Sequence, residues 1–211
     1  ITANGGNGAS NTSSVSSHAG GGSGGSIWIT AGTLAGTTGS ITANGGTGDV
    51  YTSNPSAYAG GAGAGGRIAV YYTTKSNGVA IQAYSGSTGY ERGGAGTIYL
   101  KQATNQTNFD LTIDNGANLA QNDTPLGTNT WTIDNLTLNN ARPTITGSLT
   151  ISSPNSLTLT SSTLTMSNPA SPEPPASLTL VGGNLNLSSS TLTMPAGATV
   201  AVTGTLTVGS G

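Results

Sequence analysis

The chain has no cysteine, one histidine, one phenylalanine and very few charges: Asp, Glu, Lys and Arg together make up 6% of its 211 residues. Each shortage excludes something. Without cysteine there is neither a disulfide scaffold nor a thiolate metal centre. A single histidine, His18, cannot complete a zinc site of the usual ligand set, and no Ser-His-Asp arrangement is suggested by spacing. The formal net charge is −2, so there is no electrostatic footprint for nucleic acid or an anionic membrane surface. No apolar run approaches the roughly 20 residues of a membrane helix, so no membrane insertion is expected. No signal peptide is visible, and the chain opens inside a repeat; the expectation is a segment of a larger protein. Disorder is disfavoured too, because it usually combines low hydrophobicity with high net charge.

Glycine is abundant, at 34 residues, and Ser, Thr and Asn fill much of the remainder. These are mediocre to poor helix-interior residues, and no stretch carries the i, i+3, i+4, i+7 apolar pattern of a helix. Repetition is the dominant signal. ITANGG occurs at Ile1–Gly6 and again at Ile41–Gly46, and a looser copy, IQAYSG, begins at Ile81, at a spacing of 40 residues each time. A fixed interval means a repeated structural unit. Each unit opens with an I-x-A strand, continues through a Gly/Ser-rich stretch of variable length, and closes with a strand: GGSIWI from Gly24, GGRIAV from Gly65, AGTIYL from Ala95. The variable stretches are expected to be loops, which tolerate length changes as cores do not. A unit of this length fits two coils of about 20 residues each.

From about residue 105 the rhythm quickens. Apolar-Thr-apolar triplets recur at Leu111, Trp131, Leu136, Leu149, Leu157, Leu164, Leu178, Leu192 and Leu206, with variants at Leu185 and Val200. Alternation places both apolar residues on one face and the Thr on the other. TIDN appears at Thr112 and Thr132, and SSTLTM at Ser161 and Ser189. The second interval is stretched by the Pro-rich insertion SNPASPEPPA, residues 167–176, which cannot join a ladder. Leu178, Leu185 and Leu192 mark three strands of one coil, and Val200 and Leu206 begin the next. The expected fold is all-β: a right-handed parallel β-helix, or β-solenoid, of short strands, with Gly-rich loops in residues 1–104 and short Leu-Thr-Leu rungs in a continuous second part, residues 105–211. About ten coils would give a rod of roughly 50 Å, with open ends prone to association.

The stretch GGGSGGSIWITAGTLAGTTGSITANGG, Gly20–Gly46, followed by GGAGAGGRIAVYY, resembles the glycine-rich repeats of large bacterial cell-surface proteins. That resemblance covers about the first hundred residues. It implies a secreted, β-helical, adhesin-like or matrix-forming chain. The Gly tracts also resemble the glycine-rich extracellular domain of some animal receptor kinases, where such tracts pack as extended polyglycine helices. The tracts here are short, and loops remain the expectation.

Few residues suggest chemistry. Asp114 and Asp134 both lie in TIDN, and stacking of the two motifs would bring their carboxylates within about 5 Å. Such a pair could hold Ca²⁺ with Asn115 and Asn135; the plainer reading is that Asp and Asn serve a turn. His18 reads as a solvated loop side chain. GGAGAGGR is followed by a strand, not the helix that a phosphate loop needs. All seven Tyr fall between Tyr51 and Tyr99, and four of the five basic residues lie in or just beyond that span. Tyr and Arg are typical interface anchors, so Tyr51, Tyr58, Tyr90 and Arg92 are the candidate ligand contacts, whereas Tyr71, Tyr84 and Tyr99 read as strand packing. The T-x-T units suggest ice binding only weakly, because the repeats align just Thr163 with Thr191.

The function expected from the sequence is a structural, non-catalytic extracellular or cell-surface segment: fibre, matrix or adhesin stalk. Its partners would be copies of itself or neighbouring repeats, and surface glycans. No cofactor is expected apart from the Ca²⁺ alternative. A carbohydrate-binding or polysaccharide-cleaving module is the second reading, and ice binding the third.

Overall fold

The structure, a computed structural model, describes residues 1–9, 18–49, 59–76, 78–87, 91–104, 106–128, 130–152, 157–170 and 173–208. Among them there is no helix, and there are 18 strands. Five strands belong to the long repeats: β1 (Ser26–Leu34), β2 (Ser40–Thr42), β3 (Arg67–Lys75), β4 (Ala80–Gln82) and β5 (Thr97–Gln102). β1, β3 and β5 pair in parallel, with Ile27 beside Ile68 and Ile68 beside Ile98. β2 pairs in parallel with β4, Ile41 beside Ile81. Each repeat therefore contributes one strand to each of two sheets. The expected two coils per unit do not form, because the Gly tracts between the strands are part of the packed structure.

Those tracts are not loops, and this corrects the sequence reading. Take the tract 59–66. The amides of Gly60, Gly63 and Gly66 donate to the carbonyls of Asp49, Gly46 and Ala43 at 2.9, 2.8 and 2.7 Å. The amides of Ala62 and Gly65 donate to Glu91 and Gly94 at 2.7 and 3.0 Å. The carbonyls of Gly61 and Ala64 accept from Gly21 and Gly24, both at 2.9 Å. Every third residue faces the same neighbour. That is the three-residue turn of a polyproline II-like helix, which has no internal hydrogen bonds and must find partners on other segments. Glycine is required by space: a Cβ on Gly63 would collide with the Gly22 carbonyl, and one on Gly45 with the Gly63 carbonyl. The repeated Asn of ITANGG locks successive units, since Asn4 Oδ1 accepts from the Asn44 amide and Asn44 Oδ1 from the Tyr84 amide, each at 2.8 Å.

The second half contains β6 (Asp110–Asp114), β7 (Thr124–Thr128), β8 (Trp131–Ile133), β9 (Asn135–Asn139), β10 (Pro143–Thr146), β11 (Leu149–Ile151), β12 (Leu157–Thr160), β13 (Thr163–Ser167), β14 (Ser177–Leu180), β15 (Leu185–Ser188), β16 (Thr191–Thr193), β17 (Thr199–Val202) and β18 (Leu206–Val208). They fall into three sheets that the chain visits in turn: β6, β9, β12, β15 and β18 in one, β7, β10, β13 and β16 in another, β8, β11, β14 and β17 in the third. All these pairings are parallel. Leu138, Leu159 and Leu187 stand side by side, and the Pro-rich insertion lengthens one interval without breaking register, as the spacing predicts. The corners after β9, β12 and β15 turn on Asn140, Ser161 and Ser189, with φ of 47°, 45° and 47°. A left-handed φ at a non-Gly residue is uncommon and tolerated best by short polar side chains.

One core cluster, Leu111 to Leu185 together with Ala95 from the first half, fills the second half, and a separate cluster around Ile27, Ile41, Ile68, Val70 and Ile98 serves the first. Between them the chain reverses. β5 pairs with β6 in antiparallel fashion, Tyr99 opposite Leu111 and Ile98 opposite Thr112. Opposed residues share a face of the sheet. The first half's interior face, with Ile98, therefore continues into the exterior face of the second, and its exterior face, with Tyr99, continues into the second half's interior. One sheet of eight strands, β1-β3-β5-β6-β9-β12-β15-β18, still spans both halves. At about 4.8 Å per spacing it is roughly 34 Å long, shorter than ten coils would be.

Two substitutions check this packing. Gly63→Ala is expected to destabilise by about 1–3 kcal/mol, whereas Gly6→Ala, with nothing within 4 Å of the added carbon, should be near neutral. Equal melting temperatures for the two would contradict the packed tracts. Leu159→Ala, at a fully buried position, should cost about 2–5 kcal/mol in chemical denaturation.

Candidate functional site

Of the residues singled out in the sequence, Tyr51, Tyr58 and Tyr90 lie outside the described residues. Arg92 is half-buried, and its main chain is clasped by the segment after β6: its amide donates to Gln121 Oε1 at 2.6 Å, and its carbonyl accepts from Asn122 Nδ2 at 2.7 Å. That is a structural tie between the halves.

Asp114 and Asp134 are not brought together. Asp114 pairs with Asn139, the last residue of β9, while Asp134 immediately precedes β9. About five residues of extended chain, roughly 16 Å, separate them. The Thr-Ile pairs of the two TIDN motifs fall in different sheets, on β6 and β8, because the first interval is 25 residues, Leu111 to Leu136. Part of the extra length is a bulge in β7 at Gly127, whose φ is +82°. Three of the four proposed calcium ligands, Asp114, Asp134 and Asn115, already accept hydrogen bonds, and the side chain of the fourth, Asn135, is tied through its amide nitrogen. Asp114 Oδ1 accepts from the Gly116 amide and from Asn139 Nδ2 at 2.7 and 2.8 Å. Asp134 accepts from Asn108 Nδ2 at 3.1 Å and Ser152 Oγ at 3.0 Å. Asn115 Oδ1 accepts from the Ser85 amide at 2.6 Å, and Asn135 Nδ2 donates to Asp110 Oδ1 at 2.6 Å. Among the described residues no group of three or more His, Asp or Glu is placed to hold a metal.

His18 also differs from expectation. Its Nδ1 lies 2.8 Å from Asp49 Oδ2, with side chains only 5% and 7% exposed. It is a buried clasp between two glycine tracts. The threonine array is more ordered than the repeats suggest, with Thr144, Thr165 and Thr193 in one row and Thr163 beside Thr191, but it stops at β7, where Pro125 stands opposite Thr144.

The sequence reading missed an aromatic ladder. Trp28, Tyr71, Tyr99, Phe109 and Trp131 follow one another with ring centroids 4.9, 5.3, 4.4 and 6.0 Å apart. Phe109 and Trp131 pack against the end of the second core. The ladder then climbs across the outward face of β5 and β3 to Trp28 on β1, which is 72% exposed. The signal was present in the aligned strands: with Ile27, Ile68 and Ile98 inward, alternation puts Trp28, Ala69 and Tyr99 outward in a single row. Ala69 leaves room for the flanking rings to lean onto Tyr71. Comparison with models of known families, with curated proteins and with solved structures gives no match for this chain.

Burial, then the Tyr71 hydroxyl, pushes the Tyr99 phenol from 10.0 up to about 12. Tyr84 is raised by burial and by the Asp114 carboxylate, and Tyr72 by burial and Asp110. Raised values mean that the fold favours the neutral phenols. The stability that Tyr99 contributes is therefore complete below the unfolded value of 10.0 and is lost as the pH rises through about 12; Tyr72 and Tyr84 act in the same direction. Denaturation followed with pH should show a tyrosine-linked loss only in that alkaline window, smaller in Tyr99→Phe. Titration of all tyrosinate absorbance at the ordinary value would contradict this.

Proposed function

We propose that the chain is a structural segment of a bacterial extracellular or cell-surface protein, a fibre, matrix or adhesin stalk, whose residues 105–211 wind as a right-handed parallel β-helix. The observation that carries this reading is the single eight-stranded sheet running through both halves, flanked by tracts whose backbone groups bond to neighbouring tracts on several sides. Such a body resists extension and proteolysis because no unit can open without breaking the ladders on either side of it. The cyclic order of the three sheets supports the β-helix; the preferred hand of parallel crossovers supports its handedness. The carboxylates also favour a structural role, since Asp49, Asp110, Asp114, Asp123 and Asp134 are each bonded within the fold.

The last strands offer a surface on which either a further coil of a longer chain or a second copy can stack. β17 and β18 leave Val200 44%, Leu206 56% and Val208 70% exposed, on strands at the ends of their sheets. Open, apolar strand edges are templates for further pairing. Electron microscopy and sedimentation should show end-to-end assemblies that shorten or disappear in Leu206→Asp/Val208→Asp. A monomer at all concentrations that releases reducing ends from a polysaccharide would replace the structural reading with the enzymatic one.

A further inference from the structure

We infer that the outward face of β1, β3 and β5 is a binding platform for an acidic glycan, a sugar chain bearing carboxylates. The strand registers place three rows on this face: Ser26, Arg67 and Thr97; Trp28, Ala69 and Tyr99; Thr30, Tyr71 and Lys101. The three rings form a contiguous centre, with interplanar angles of 33° and 44°. Hydroxyls and two cations surround it, and none of the nine positions carries a carboxylate. Flat rings accept the C–H faces of sugars, and the flanking hydroxyl, guanidinium and ammonium groups suit sugar hydroxyls and carboxylates. Arg67 is exposed, and its guanidinium has no partner among the described residues. Lys101 Nζ donates to the Thr107 carbonyl at 3.1 Å, which leaves further donors on the ammonium. Hollows of about 190 and 270 Å³ flank Arg67, giving room for a charged substituent beside the guanidinium. Asp123 borders the smaller hollow but is held by Arg142 at 3.0 Å.

Size and charge select the occupant. Three strands at about 4.8 Å and three outward positions about 6.8 Å apart make a patch of roughly 10 by 14 Å. Each side of a stable protein interface buries about 800 Å², several times more. Two copies laid face to face would also oppose Arg67 and Lys101 to like charges, a costly arrangement. A slender chain of sugar rings carrying the opposite charge meets both constraints.

The test is calorimetric titration of the full chain with an oligogalacturonate, an uncharged gluco-oligosaccharide of equal length and poly-glutamate, with folding of every variant checked by circular dichroism. Saturable, salt-sensitive binding of the oligogalacturonate is expected. It should weaken about tenfold or more in Trp28→Ala and Tyr71→Ala, and also in Arg67→Gln, an exposed substitution that should leave folding intact. No saturable binding of the oligogalacturonate would overturn the proposal. Equal affinity for the uncharged oligosaccharide, or no loss in Arg67→Gln, would overturn the acidic assignment. Poly-glutamate binding as tightly as the oligogalacturonate would overturn the sugar assignment. None of these outcomes depends on whether the chain assembles end to end.

Discussion

Extended backbone has no internal hydrogen bonds, so the buried amides and carbonyls of the described residues, which form no helix, must find partners mostly on other segments. Most of the architecture follows from that constraint. In the second half the partners are neighbouring parallel strands of the same sheet, and the core between the sheets is lined with Leu, Ile and Met. In the first half much of the chain is glycine, which has no side chain to bury. There the saturation is achieved by crowding: tracts approach so closely that neighbouring carbonyls occupy the space of a Cβ. The same demand thus yields parallel sheets packed on an apolar core and a bundle of glycine tracts within one polypeptide.

The junction between the two decides where chemistry could reside. A parallel continuation from β5 to β6 would have kept Tyr71 and Tyr99 on a plain exterior face far from any core. The antiparallel pairing exchanges the faces instead. Aromatic residues on the outside of the glycine-rich half become the extension of the inside of the other half. Phe109 and Trp131 pack against the second core, and the rings beyond them lie on an exposed shelf. The seam is tied further by Asn115 to Ser85, Asn118 to Ser85 and Thr124 to Ala95, so the shelf rests on a rigid base, as a recognition surface requires.

A structural role and a glycan platform are compatible. A stalk gains strength from ladders and needs little surface chemistry; a small aromatic patch on one face adds recognition without disturbing the ladders. The sparse charge is consistent with both, because Arg67 and Lys101 stand out on a surface where few other groups carry charge. The carboxylates near the seam, which invite a catalytic or calcium reading, are engaged in hydrogen bonds that hold corners and junctions.

The sequence by itself determined the all-β character, the parallel pairing at the forty-residue interval and the Leu-Thr-Leu rungs, because side-chain alternation and repeat spacing are local properties that backbone geometry converts directly into faces and neighbours. It also located the Pro-rich excursion, except that Ser167, read as its first residue, still belongs to the β13 ladder beside Thr146. Only the tertiary structure decided that the Gly tracts interlock, that His18 meets Asp49, that Asp114 and Asp134 lie at opposite ends of β9, and that five rings form a ladder. Each of these depends on which segments touch, and a one-strand reversal or a single bulge at Gly127 changes that without leaving a periodic mark in the residues.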